Sequence, residues 1–197
     1  MARPVKSPIF SCPQPVVLVG MMGVGKTTIG RRLAPLIDLP FHDADEAVEE
    51  AAGMKVADFF ETHGEKAFRD GEARVIRRLL DGPPLVLATG GGAVLHPETR
   101  AHLRDLALTV WLRAPIPIIV DRATRRPTRP LLKTGDPTQT ITRLLAERSP
   151  FYEETAALHV ESQTGAHTKT VNRIVDLIRQ TLGAAPDQAP VKPAQAE

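Results

Sequence analysis

Two short stretches of the chain carry residue types and spacings that could do chemistry. The first is "GMMGVGKTT", Gly20 to Thr28. Its glycines let backbone amides curl around phosphate oxygens, and a following helix would add the positive end of its dipole. The spacing G-x-x-x-x-G-K-[ST], with the apolar run "VVLV" before it and an amphipathic run after it, is that of a loop cradling a nucleoside triphosphate. Gly23, Val24, Gly25, Lys26, Thr27 and Thr28 are the candidate nucleotide-binding residues. Lys26 would reach the β- and γ-phosphates and the Thr27 hydroxyl would ligate Mg²⁺. The second stretch is "FHDAD", Phe41 to Asp45, with two carboxylates two residues apart. Alternation along a strand sends both to one side, where they repel unless a cation shares the space.

The loop also constrains what kind of nucleotide chemistry is at hand. An Asn-Lys-x-Asp guanine-reading motif is absent, which leans toward ATP. The later strand "LVLA" runs into "TGGG" rather than ending in the acid common to hydrolytic ATPases. The metal-side carboxylate must come from elsewhere, and Asp43 is the nearest candidate. Bare backbone at Gly90, Gly91 and Gly92, at the end of a parallel strand, lets a ligand or another loop approach closely.

The elements that position these groups follow from the hydrophobic pattern. "VVLV" (Val16–Val19), "LVLA" (Leu85–Ala88) and "TVWL" (Thr109–Leu112) are apolar runs without alternation, as strands covered on both faces require. "LPF" before the aspartates and "ALHV" (Ala157–Val160) are weaker strand candidates. Phe68, Val75, Ile76, Leu79 and Leu80 form a helical stripe, and Ile174, Val175, Leu177 and Ile178 mark another helix near the end. Strand and helix in alternation predict an α/β three-layer sandwich: a parallel sheet with helices on both faces and right-handed crossovers. Pro35 interrupts the helix expected from Lys26 to about Ile37 and predicts a kink or an early end.

Composition bounds the rest. With 197 residues and 42% hydrophobic content, one core and one domain are expected, over residues 15–183. Residues 1–14 and 184–197, rich in proline with serine or alanine, read as disordered arms. A net charge of +2 and 4% aromatic residues argue against a nucleic-acid partner. One cysteine, Cys12, excludes an internal disulfide framework and fits a reducing compartment. No apolar run approaches the ~20 residues that span a bilayer, and no signal peptide is legible. A soluble cytoplasmic protein that does not bind membranes is expected.

The arginines are harder to read. Arg69 sits at the border of the apolar stripe, and on the residues alone Arg69, Arg129 and Arg148 each read as surface residues. The segment "DRATRRPTRPLLKTGD" (residues 121–136), too irregular for a continuous helix and too basic for a core, reads first as a mobile lid beside the phosphate loop, with a solvated loop or a nucleic-acid patch as the alternatives. Such a lid supplies cations to the phosphates and excludes water.

Taken in order, "GMMGVGKTTIGRRLA", "DAD", "FRDGE", "ATGGGAV", "RPLL" and "ERSPFYEE" resemble the shikimate kinase family, from about Val16 to Leu182. The resemblance implies a five-stranded parallel sheet of the nucleoside monophosphate kinase type. It also implies transfer of the γ-phosphoryl group of ATP to the 3-hydroxyl of shikimate, on the chorismate route to aromatic amino acids, by a monomer. It makes Thr27 and Asp43 the Mg²⁺ side, Asp43 acting through water, and Lys26, Asp45 and Arg129 the catalytic residues. Asp45 would hydrogen-bond the acceptor hydroxyls. Arg69 and Arg148 would hold the shikimate carboxylate, Gly90, Gly91 and Gly92 would line its pocket, and Phe60 and Phe68 would pack against its ring. Arg129 in the lid would contact ATP phosphates, Arg122 would lie against the adenine, and residues 162–165 would cover it. Another small-molecule kinase of this fold, acting on gluconate or a nucleoside monophosphate, is the alternative within the same chemistry. A nucleotide-binding regulator without catalysis is the alternative outside it.

Overall fold

The computed structural model describes residues 8–125, 135–162 and 167–183. Five strands form one parallel sheet: β1 (Val16–Val19), β2 (Phe41–Asp43), β3 (Val86–Ala88), β4 (Leu108–Arg113) and β5 (Leu158–Glu161). Their order across the sheet is β2-β3-β1-β4-β5. The central register aligns Val17 with Leu87 on one side and Thr109 on the other. All four residues of β1 are fully buried, so helices must cover both faces of the sheet, as the unalternating apolar runs require.

Among the described residues, seven helices supply that cover: α1 (Lys26–Leu33), α2 (Ala44–Ala52), α3 (Val56–Leu80), α4 (Pro97–Leu106), α5 (Ile116–Thr124), α6 (Pro137–Thr155) and α7 (His167–Thr181). Helix α1 packs with α7, while α4 packs with α3 and α6. The core holds Ile29 and Leu33 of α1, Ile76 of α3, Leu103 of α4, Ile141 of α6 and Ile174 and Ile178 of α7. Helix α1 gives way at Ala34 to a 3₁₀ turn, Ala34–Leu36, with Pro35 at its start. That is the early end expected of a residue without an amide donor. Helix α3 is broken at Gly64, whose φ of 79° and ψ of 169° are not helical.

The N-terminal reading requires correction. The amide of Ile9 donates to Leu36 O at 2.7 Å, and the amide of Cys12 donates to Ile37 O at 3.0 Å. Cys12 is 2% exposed, and Phe10 packs on the same core. Proline-rich composition suggested disorder over residues 1–14, but from residue 9 to residue 12 the segment docks through two backbone amides and the side chains of Phe10 and Cys12. Burial also raises the Cys12 thiol pKa, which keeps it unreactive. Residues 184–197 lie outside the described residues, as do 126–134, which hold Arg129, Pro127 and most of the expected lid. Among the described residues, no helix is long and apolar enough to cross a membrane.

Candidate active site

The loop between β1 and α1 is the candidate phosphate cradle. Gly25 caps the N-terminus of α1 with φ 101°, a left-handed conformation that a side chain would strain. Lys26, 9% exposed, folds back over the loop, and its Nζ donates to Gly20 O at 2.6 Å and to Met21 O at 3.0 Å. The ammonium is thus held against the carbonyls at the start of the loop. Thr27 Oγ1 donates to Asp43 Oδ2 at 2.8 Å, which joins the cradle to the end of β2. These two hard oxygens beside a phosphate site fit Mg²⁺, which takes few protein ligands and draws the remainder from water and phosphate.

Asp43 and Asp45 are close for a reason other than strand alternation. Asp43 ends β2 and caps α2, its Oδ1 accepting the Asp45 amide at 3.1 Å. Asp45 already lies in the first helical turn, where the helix dipole favours a carboxylate. The strand-based expectation is therefore replaced by a cap geometry, which gives the two acids different directions. Asp43 turns to Thr27, and Asp45 turns to the loop after β3. Desolvation, then the neighbouring Asp43, pushes the Asp45 pKa up, with Lys26 and Arg69 opposing. The residue is open to solvent within the cleft, so water screens much of that effect.

The three glycines serve close approach rather than unusual backbone angles. A Cβ on Gly90 would stand 2.9 Å from both Asp45 Oδ1 and Glu72 Oε1, and one on Gly92 would overlap the Arg69 guanidinium. Their bareness lets charged side chains from α2 and α3 crowd against this loop. Arg69 contradicts the surface reading, because its side chain is only 15% exposed. It lies over the rings of Phe60 and Phe68 and bonds to Glu72 Oε2 at 2.5 Å. Phe68 is 2% exposed and braces the guanidinium from the core, with Phe60 stacked beside it at 4.4 Å. Arg148 of α6 is 5% exposed, again not a surface residue, and its Nη1 donates to Gly91 O at 3.1 Å. Its Nε has no hydrogen-bond partner among the described residues.

One cleft of about 420 Å³ is lined by Lys26, Thr27, Asp43, Asp45, Gly90 and Gly91, together with Arg122, Arg125 and His167. Arg69, Arg148, Phe60 and Phe68 are not among its lining residues; the two arginines reach the same glycine loop from behind it. Arg122 Nη1 donates to Val24 O at 3.5 Å and to Ser162 Oγ at 3.4 Å, which ties the cradle to the end of β5. Of the segment 162–165, only Ser162 is described, and it is buried.

Three residues of the site escaped the sequence reading. Glu72, 1% exposed, neutralises Arg69, and burial raises its own pKa. Its signal was the three-residue spacing from Arg69 on one helix. Tyr152, fully buried, donates its hydroxyl to Gly91 O at 2.6 Å, one helical turn beyond Arg148. His167 opens α7 beside Arg122, and burial, then Arg122 and Arg32, lowers its pKa. No local pattern marked it.

A family model described as "SKI: Shikimate kinase" matches residues 22–179. The chain belongs to the shikimate kinase family. A shikimate kinase from Rhodopseudomonas palustris is 54% identical over 175 residues, covering 89% of this chain and 86% of the relative. A solved shikimate kinase from Acinetobacter baumannii, in complex with shikimate, is similar at a TM-score of 0.81 and 36% identity. It covers 90% of this chain and 96% of its own. A gluconokinase from Sinorhizobium meliloti shares the fold at a TM-score of 0.58, covering 87% of this chain and 94% of its own. At 18% identity its likeness is one of architecture alone. Membership in the shikimate kinase family fits an ATP-dependent phosphotransferase site. Asp45, Arg69 and Arg148 gather around the glycine loop, which abuts the loop between β1 and α1.

Proposed function

We propose that this chain transfers the γ-phosphoryl group of ATP to the 3-hydroxyl of shikimate, giving 3-phosphoshikimate and ADP. The observation that carries the acceptor side is the buried guanidinium of Arg148 at the glycine loop, whose Nη1 donates to Gly91 O and whose Nε has no hydrogen-bond partner among the described residues. A buried cation with an unmet donor is costly, and a carboxylate on the acceptor would complete it with charge-assisted hydrogen bonds. Arg69 stands at the same loop, held by Glu72, and forms the second half of a carboxylate fork. Asp45 reaches the loop from α2 and would accept a hydrogen bond from the attacking hydroxyl, orienting it toward the cradle and taking its proton. Lys26 and the amides at the start of α1 would hold the transferring phosphoryl oxygens. Thr27, with Asp43 through water, would hold Mg²⁺, which neutralises phosphate charge when bound. Arg122 would lie against the adenine and Arg129 would contact the phosphates from the lid. We further propose that the enzyme works as a cytoplasmic monomer.

A panel of acceptors tests this reading. ADP release should depend on shikimate and not on gluconate, AMP or CMP; turnover with gluconate alone would overturn it. Arg148→Ala should raise the shikimate KM about 30- to 100-fold, the range of one lost bond between charged groups. The ATP KM should change little, and an unchanged shikimate KM would remove Arg148 from the acceptor site.

A further inference from the structure

The Gly91 carbonyl accepts two bonds from α6: Arg148 Nη1 at 3.1 Å and the Tyr152 hydroxyl at 2.6 Å. Tyr152 is fully buried, its ring 5.6 Å from that of Trp111 on β4. Its oxygen also lies 3.8 Å from Sδ of Met21, within the phosphate cradle. Gly91 itself abuts that cradle, since a Cβ there would stand 3.2 Å from Met22 N. One phenol therefore touches the acceptor loop and the nucleotide loop from inside the core. Burial raises its pKa far enough that it stays a hydroxyl at working pH, while the Arg148 guanidinium lies within hydrogen-bonding reach of its oxygen. Pro150, between Arg148 and Tyr152, lacks the amide that would join this turn to Ala146, and the two side-chain bonds to Gly91 tie the same turn to the acceptor loop.

We propose that Tyr152 is a positioning residue that fixes Arg148 and the Gly91 carbonyl as one unit, setting where the acceptor carboxylate sits relative to the phosphate cradle. This inference rests on Arg148 holding that carboxylate. A fixed cation binds without first being ordered, and small displacements in such a frame carry large kinetic costs. The test uses Tyr152→Phe in the full chain, which keeps the ring and leaves Gly91 O bonded to Arg148, so folding should survive. The shikimate KM should rise about tenfold while the ATP KM stays within twofold. In an Arg148→Ala background the same change should add less than about threefold, because the group it positions is gone. A shikimate KM within twofold of wild type, beside a strong effect of Arg148→Ala, would overturn Tyr152 alone. Both KM values rising together with a lowered Tm would also overturn it, as a purely structural role. No effect of Arg148→Ala would overturn the acceptor reading and this inference with it.

Discussion

Asp45→Asn should lower kcat about 10³- to 10⁴-fold while leaving the ATP dissociation constant near that of wild type. The size is that of losing a positioned general base or orienting carboxylate, and the selectivity follows from geometry. Asp45 faces the Gly90 side of the cleft, whereas the acid joined to the cradle is Asp43, through Thr27. The amide variant retains the shape and the helical turn but cannot accept the acceptor's proton. Its Tm should not fall, because the change removes one of two neighbouring negative charges. Stopped-flow or calorimetric ATP binding, with single-turnover transfer, checks both halves. Large loss of nucleotide affinity would sink the division of labour between the two aspartates.

The same carboxyl sets a pH dependence. Its pKa is displaced upward, so it becomes protonated at a higher pH than an ordinary aspartate as the solution is acidified. With the ionised form as the active one, kcat/KM for shikimate should fall on the acid side, beginning at a higher pH than an ordinary aspartate would give. Glu72, also displaced upward by burial, would contribute to that limb by weakening its hold on Arg69. A Glu72→Gln variant that keeps an unchanged acid limb would assign the limb to Asp45.

Lys26→Met should reduce kcat about 10³-fold, the scale of removing a preorganised charge from a phosphoryl-transfer site. The side chain is buried and holds Gly20 O and Met21 O, so its removal also frees two loop carbonyls. Methionine retains the length and the apolar stem, which separates the lost charge from a collapsed loop. The ATP KM should rise as well, in contrast to Asp45→Asn. Measuring both variants on the same ATP and shikimate titrations distinguishes the nucleotide end of the cleft from the acceptor end. A Lys26→Met enzyme with near-normal kcat would mean that the cradle's amides suffice.

What the sequence determined by itself was local. The cradle motif is read from consecutive residues, and β1, β3 and β4 from unbroken apolar runs, because backbone shape and burial on both faces leave direct traces in composition. The early end of α1 at Pro35 is of the same kind, a property of one residue's missing amide. The ordered motif set also carried the family resemblance. Tertiary structure decided the rest. Arg69 is buried because Phe60, Phe68, Glu72 and the bare glycine loop close around it, and Arg148 because α6 docks it on Gly91; the glycine loop that both reach lies on another element. The docking of Cys12 beside Ile37, and of His167 beside Arg122, likewise depends on elements distant in sequence. So does the final sense of FHDAD. Two-residue spacing promised a shared direction along a strand, but β2 stops at Asp43, whose cap turns the chain into α2. The aspartates part because a helix begins between them, one facing Thr27 and the other the glycines of a neighbouring strand.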